Sequence, residues 1–274
     1  MPKIIFQITP IIFLLLLLSC GKSDEKESID RSGSLTTTIH NLEKQTGDCS
    51  TEDLGNCAII QIEYIEVFYD ENPTVQGKIN SRLNNELLKP IGAEKSNDTF
   101  EDVMLVFLAE YKNFKKDFPE SKQHWKLERI VTELFNDNNI FSCEVFEYSY
   151  LGGAHPNSYS KFVNFDLSTG DELKLEDILI EGYLEKINIV GEKIFRQTNE
   201  IEPNKNLTEA GYWFDNNMFS INNNFTVDEN GMTFYYNNYE ITAYAFGPTD
   251  LFIPYNRIND LIKPDGLLGG FYID

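Results

Sequence analysis

Apolar and polar positions change their period several times along this chain, and each change marks an element. Ala58-Ile59-Ile60-Gln61-Ile62-Glu63-Tyr64-Ile65-Glu66-Val67-Phe68 is partly alternating and rich in β-branched residues, which predicts a long strand. Asn72-Pro73 then opens a helix, with proline in the first turn where its missing N–H costs nothing. Val75, Ile79, Leu83 and Leu87 recur every four residues on one helical face, and Pro90 stops the run. A second helix is predicted from near Asp98, with Glu101 as a capping-box partner. Phe100, Val103, Met104, Phe107, Leu108 and Tyr111 form its inward stripe, and Pro119 ends it.

From Trp125 the period becomes that of β-structure. Trp125–Phe135 and Ile140–Tyr150 read as strands joined by Asn136-Asp137-Asn138-Asn139, residue types that tolerate turn dihedrals. A third strand, Ser158–Leu167, puts Tyr159, Val163, Phe165 and Leu167 on one face. Leu175–Leu179 predicts a short helical turn and Tyr183–Thr198 a longer helix. Asn224–Val227 and Met232–Tyr236 flank Asp228-Glu229-Asn230-Gly231, the strongest hairpin signal in the chain. Tyr235–Phe246 reads as a tyrosine-rich, core-facing strand. Leu251–Tyr255 is a last strand, followed by a short helix to Ile262.

This order of elements predicts an α+β fold with a mainly antiparallel sheet and helices packed on one face. Two closely associated sub-domains are expected, residues 49–150 and 151–274, with the strands between Trp125 and Leu167 able to form one continuous sheet.

The N-terminus reads as a targeting segment. Lys3 precedes the apolar run Ile11–Leu18, which is shorter than the roughly 20 residues of a membrane span. Leu17-Leu18-Ser19-Cys20 resembles the bacterial lipobox, which implies cleavage of a lipoprotein signal peptide (1–19) and lipid attachment at Cys20. Residues 20–48 are then expected to be a flexible tether. The expected location is the cell envelope, lipid-anchored at the outer membrane or cell surface. Cys49 and Cys57 bracket a polar loop able to turn back on itself, and a disulfide there fits an oxidising compartment. Cys143 falls inside an apolar strand and reads as a buried free thiol.

Charge narrows the function classes. The 274 residues hold 23 basic and 44 acidic side chains, a net charge of -21. Nucleic-acid binding needs the opposite sign, and so does electrostatic attachment to anionic lipid. Three histidines and four cysteines leave little for a metal cluster, and no cofactor or metal is expected.

The densest candidate chemistry is Tyr148-Ser149-Tyr150-Leu151-Gly152-Gly153-Ala154-His155-Pro156-Asn157. Paired glycines permit close backbone approach, and histidine can bind a ligand or shuttle a proton. Tyr150, Gly152, Gly153, His155 and Asn157 therefore form a candidate binding loop, whose other reading is a plain strand connection. It is no phosphate loop, because no Gly-Lys-Ser/Thr follows. Glu176-Asp177 could pass for catalytic carboxylates, but their place at a helix start suits the helix dipole. No catalytic residue is assigned.

The stretches Tyr150–His155, Asn164–Gly170, Leu173–Leu179, Gly231–Ile241, Tyr244–Pro248 and Ile253–Tyr255 occur in an order that resembles a known envelope family. It is the family of the extracytoplasmic, lysozyme-receptor domain of the anti-sigma factor RsiV and of the non-catalytic N-terminal region of the peptidoglycan deacetylase PdaC. The resemblance implies an α+β, non-catalytic, lipid-anchored binding module, with a cationic protein such as lysozyme or peptidoglycan as partner. A cell-wall-directed hydrolase or deacetylase and a structural envelope lipoprotein are the alternative classes.

Overall fold

The computed structural model describes residues 35–49, 56–90 and 97–271; the expected signal peptide, Cys20 and the tether up to residue 34 lie outside them. The chain runs β1 (Thr36–Gly47), β2 (Cys57–Phe68), α1 (Pro73–Leu87), α2 (Phe100–Asp117), β3 (Trp125–Asp137), β4 (Ile140–Tyr150) and β5 (Asn157–Asp166). There follow α3 (Leu175–Ile178), α4 (Tyr183–Thr198), β6 (Phe225–Val227), β7 (Gly231–Tyr236) and β8 (Thr249–Pro254). The fold is α+β, with a five-stranded sheet in the order β1-β2-β3-β4-β5 and a three-stranded sheet β6-β7-β8.

One expectation fails at the start. Residues 36–47 are not tether but β1, paired antiparallel with β2 from Thr36↔Phe68 to Gly47↔Cys57. An edge strand is half exposed, so its polar composition mimics a linker, while the run Thr36-Thr37-Thr38-Ile39 supplies β-branched residues. The predicted Cys49–Cys57 disulfide closes this hairpin near its turn.

Strands β2 and β3 pair in parallel from Ala58↔Trp125 to Glu63↔Ile130, the exception in an otherwise antiparallel sheet. A parallel pair needs a long crossover, and α1 and α2 provide it. Side chains at every fourth position of α1 (Val75, Ile79, Leu83 and Leu87) are buried, as their spacing requires. Asn72 caps α1 by accepting from the Val75 N–H. The cap of α2 is Thr99 with Asp102 as its box partner, one residue beyond the predicted pair. Both helices cover the sheet face that carries Ile60, Ile62, Leu127, Val131, Cys143, Val145, Val163 and Phe165. Burying each such aliphatic side chain is worth roughly 1.5–3 kcal/mol.

Polar groups at the ends of these elements are satisfied by specific side chains. Past Glu63 and Ile130 the two parallel strands no longer pair, and Asn80 of α1 takes over. Its amide accepts from the Val67 N–H (2.8 Å) and donates to the Val67 carbonyl (2.9 Å). Buried Arg129 donates to the carbonyls of Leu87 and Lys89 at the end of α1 and to Glu147. Glu86, also buried, lies among Arg82, Lys89 and Lys161. Burial would raise its carboxyl, but hydrogen bonds from Lys161, Lys89 and Arg82 outweigh that and hold the pKa at about 2.

The second core gathers Leu175, Ile187, Phe195, Phe234, Ile253 and Leu261 around the small sheet, and Ile140 of β4 joins it. Because β5 completes the large sheet, the two cores divide after Leu167 and not at residue 150. The predicted strand Tyr235–Phe246 stops at Tyr236, since Asn237 turns away to bond with β5. The predicted helix before Ile262 is two 3-10 turns, Tyr255–Arg257 and Asn259–Leu261.

The junction between the two units is made of amides. Ser160 of β5 donates its N–H to Asn237 Oδ1 (2.7 Å), and its carbonyl accepts from Asn237 Nδ2 (3.0 Å) and Asn224 Nδ2 (2.9 Å). The Phe162 N–H donates to Asn224 Oδ1 at 2.9 Å. Asparagine carries one donor and one acceptor group, so a single side chain stands in for a missing strand neighbour.

Candidate functional site

The loop between β4 and β5 and the segment 237–248 after β7 meet at one end of the large sheet. Gly152 has φ +81, and an added Cβ would meet the Gln123 side chain, whose amide donates to the Gly152 carbonyl. Gly153 has no such constraint, so only the first glycine of the pair is required by the backbone. Asn157 begins β5 opposite Ser149 and is exposed. The ring of Tyr150 lies against His124 at 4.7 Å.

His155 is exposed and fully engaged. Its Nδ1 lies 2.8 Å from the Pro156 carbonyl and its Nε2 lies 3.1 Å from the Tyr239 hydroxyl. A carbonyl can only accept, so Nδ1 carries a proton and donates to Pro156, while Nε2 is hydrogen-bonded to the Tyr239 hydroxyl. Tyr244 stacks on the imidazole at 3.9 Å and donates its hydroxyl to the same Pro156 carbonyl (2.8 Å). The tyrosine rings are 5.5 Å apart. Sequence reading identified His155 but missed Tyr239 and Tyr244, which lie in the stretch it took for a strand.

Below this cluster the large sheet presents the face that α1 and α2 leave uncovered. Strand register sets side chains there in rows: Gln61, Glu128 and Tyr148; then Glu63, Ile130 and Phe146; then Thr132 and Glu144. Most are half-buried. Lys126, a cation on this face, pairs with Glu128 and sits 5.6 Å above the Tyr148 ring. The face thus mixes carboxylates with aromatic surface, and Lys126 shows how a cation is held on it.

A separate cleft of about 630 Å³ is lined by Asp166, Asp171, Glu172, Asp177 and Asp265 among others. Four of these five carboxylates are used structurally. Asp166 accepts from Ser168, Asp171 from Lys78, Glu172 from Arg82, and Asp177 from the Lys174 N–H at the start of α3. The hydrogen bond from Lys78 holds the Asp171 carboxyl below its ordinary range. Asp177 therefore acts as a helix cap, the reading its position suggested. Cys143 is buried and free, and burial pushes its thiol well above the usual range. His40, expected in the tether, stacks on Tyr64 and bonds to Glu66.

Comparisons with known proteins agree with this architecture. Residues 52–158 match the family model described as deacetylase PdaC, and residues 176–256 match the protein family of unknown function DUF3298. The peptidoglycan-N-acetylmuramic acid deacetylase PdaC of Bacillus subtilis is 27% identical over 119 residues, covering 43% of this chain and 25% of that protein. The chain thus spans about a quarter of the length of this curated relative. The crystal structure of a DUF3298 family member from Bacteroides fragilis superposes with a TM-score of 0.71 at 20% identity, covering 88% of this chain and 98% of that one. A DUF3298 family protein from Pseudomonas aeruginosa gives 0.60 at 20% identity, covering 84% and 95%. The PdaC part of the resemblance read from the sequence is thus found over residues 52–158, while residues 176–256 match the DUF3298 family.

Proposed function

We propose that the chain is a non-catalytic docking module of the cell envelope, lipid-anchored through Cys20, whose open sheet face receives a cationic protein of the lysozyme kind. The observation that carries this reading is the face itself, where Glu63, Glu128 and Glu144 are interleaved with Ile130, Phe146 and Tyr148. A chain of net charge -21 attracts a basic partner from a distance, and aromatic surface supplies short-range contact area. Matches to PdaC and the resemblance to the RsiV receptor domain support an envelope setting.

The test is binding of the purified protein to c-type lysozyme and to soluble peptidoglycan fragments across ionic strength. Lysozyme binding is expected to weaken steeply as salt rises, because exposed charges are screened over about 8–10 Å at physiological ionic strength. Reversing two face charges, Glu63→Lys with Glu128→Lys, is expected to reduce affinity at least tenfold. Binding insensitive to salt and to these reversals would remove the electrostatic reading. Measurable turnover of murein by the purified chain would overturn the non-catalytic one.

A further inference from the structure

Tyr239 has φ +67, in the left-handed region. Among the described residues, the other five non-glycine residues with positive φ are Asn138, Asn139, Asn216 and Asn217, asparagines that adopt this conformation at low cost, and Glu200. A bulky aromatic residue adopts it only when its surroundings force it. The forcing contacts are visible on both sides. Asn237 is fixed to the Ser160 backbone of β5 and its own N–H donates to Glu240, while Asn238 donates to Ser158. The Tyr239 hydroxyl is held by His155, which is itself locked by Pro156 and Tyr244.

Burial does not explain this strain, since Tyr239 is 52% exposed. Phe246, at the end of the same segment, is 73% exposed. Strained backbone beneath an exposed, immobilised aromatic residue is an arrangement that lowers the entropy cost of contact with something outside the molecule.

We infer that Tyr239, latched by His155 and backed by Tyr244, is the pre-organised anchor of the partner interface and takes up a lysine or arginine side chain of the cationic partner. This inference rests on the docking function proposed above. Charge selects the occupant. The segment belongs to a chain of net charge -21 and carries Glu240 next to the anchor, so a cation approaching the ring gains from both the π-face and the field. Interface energy concentrates in such fixed aromatic residues. His155 is a positioning residue in this account, because it acts through Tyr239.

The experiment measures affinity and kinetics of the purified protein for c-type lysozyme, with melting temperature read in parallel. Tyr239→Ala is expected to lower affinity at least tenfold, and His155→Ala three- to tenfold with a faster off-rate. Tyr239→Gly is expected to melt higher than Tyr239→Ala, because glycine relieves the strain, yet to bind no better. Wild-type binding unchanged in Tyr239→Ala overturns this inference alone and leaves the docking function standing. Failure of the wild-type chain to bind lysozyme overturns both. Equal melting of the glycine and alanine variants overturns the pre-organisation.

Discussion

The two edges of the five-stranded sheet are closed in opposite ways. At β5, the second unit inserts Asn224 and Asn237, which satisfy the Ser160 and Phe162 backbone as a sixth strand would. At β1, among the described residues, no group outside β2 is hydrogen-bonded to the Thr36–Gly47 backbone. That strand relies on its composition: polar and charged side chains, including Lys44, discourage pairing with another chain. The difference teaches that the second unit does more than add a core. It turns one aggregation-prone edge into the internal wall on which the Tyr239 segment is built, and it leaves the other edge to defend itself.

The sharpest way to break this contrast is to remove the amides. Asn224→Ala with Asn237→Ala strips partners from buried backbone groups of β5, each unsatisfied group costing about 1–3 kcal/mol. The double variant is expected to lose about 4 kcal/mol or more in urea unfolding. Thr38→Ala or Gln45→Ala in β1 should change stability by under about 0.5 kcal/mol. Equal losses at the two edges would show that the amides are not closing β5.

A smaller effect separates the edges by pH. Lys161 of β5 bonds to Glu86, whose folded pKa of about 2 lies below the ordinary 4.5. A depressed folded value means stability that is fully present above the unfolded pKa and is lost as pH falls toward the folded one. The loss is expected between about pH 4.5 and pH 2 and amounts to about 3 kcal/mol. Unfolding midpoints measured at pH 7 and pH 2.5 check it, and Glu86→Gln should flatten the dependence. At the β1 side the corresponding constraint is covalent. Reducing Cys49–Cys57, or replacing both with alanine, is expected to cost about 2–3 kcal/mol by the loop-entropy relation, seen as a lower melting temperature.

The same contrast explains what could be read in advance. Both helices of the crossover, β3, β4 and the β6–β7 turn were legible, because a buried face imposes a period on the residues that make it. β1 was not, since an edge strand with only Ile39 and Leu42 as large apolar residues leaves no such period. The amide closure was also invisible. Asn237 and Ser160 are distant in sequence, and nothing in an asparagine-rich stretch says which backbone it will serve. At the site, Gly152 and His155 stood out by residue type. Tyr239 did not, because its left-handed backbone sits where the neighbouring Asn237 and Asn238 would have been the natural guess.

The parallel seam between β2 and β3 has a kinetic consequence. All of α1 and α2 separates these neighbours along the chain, whereas fewer than ten residues separate β1 from β2, β3 from β4 and β4 from β5. Local hairpins close in microseconds, but a distant pair must first lose the entropy of the intervening chain. Refolding is therefore expected to be limited by the encounter of the two antiparallel ribbons along this seam, and a stopped-flow refolding rate slowed by Leu127→Ala but not by Thr38→Ala would bear that out.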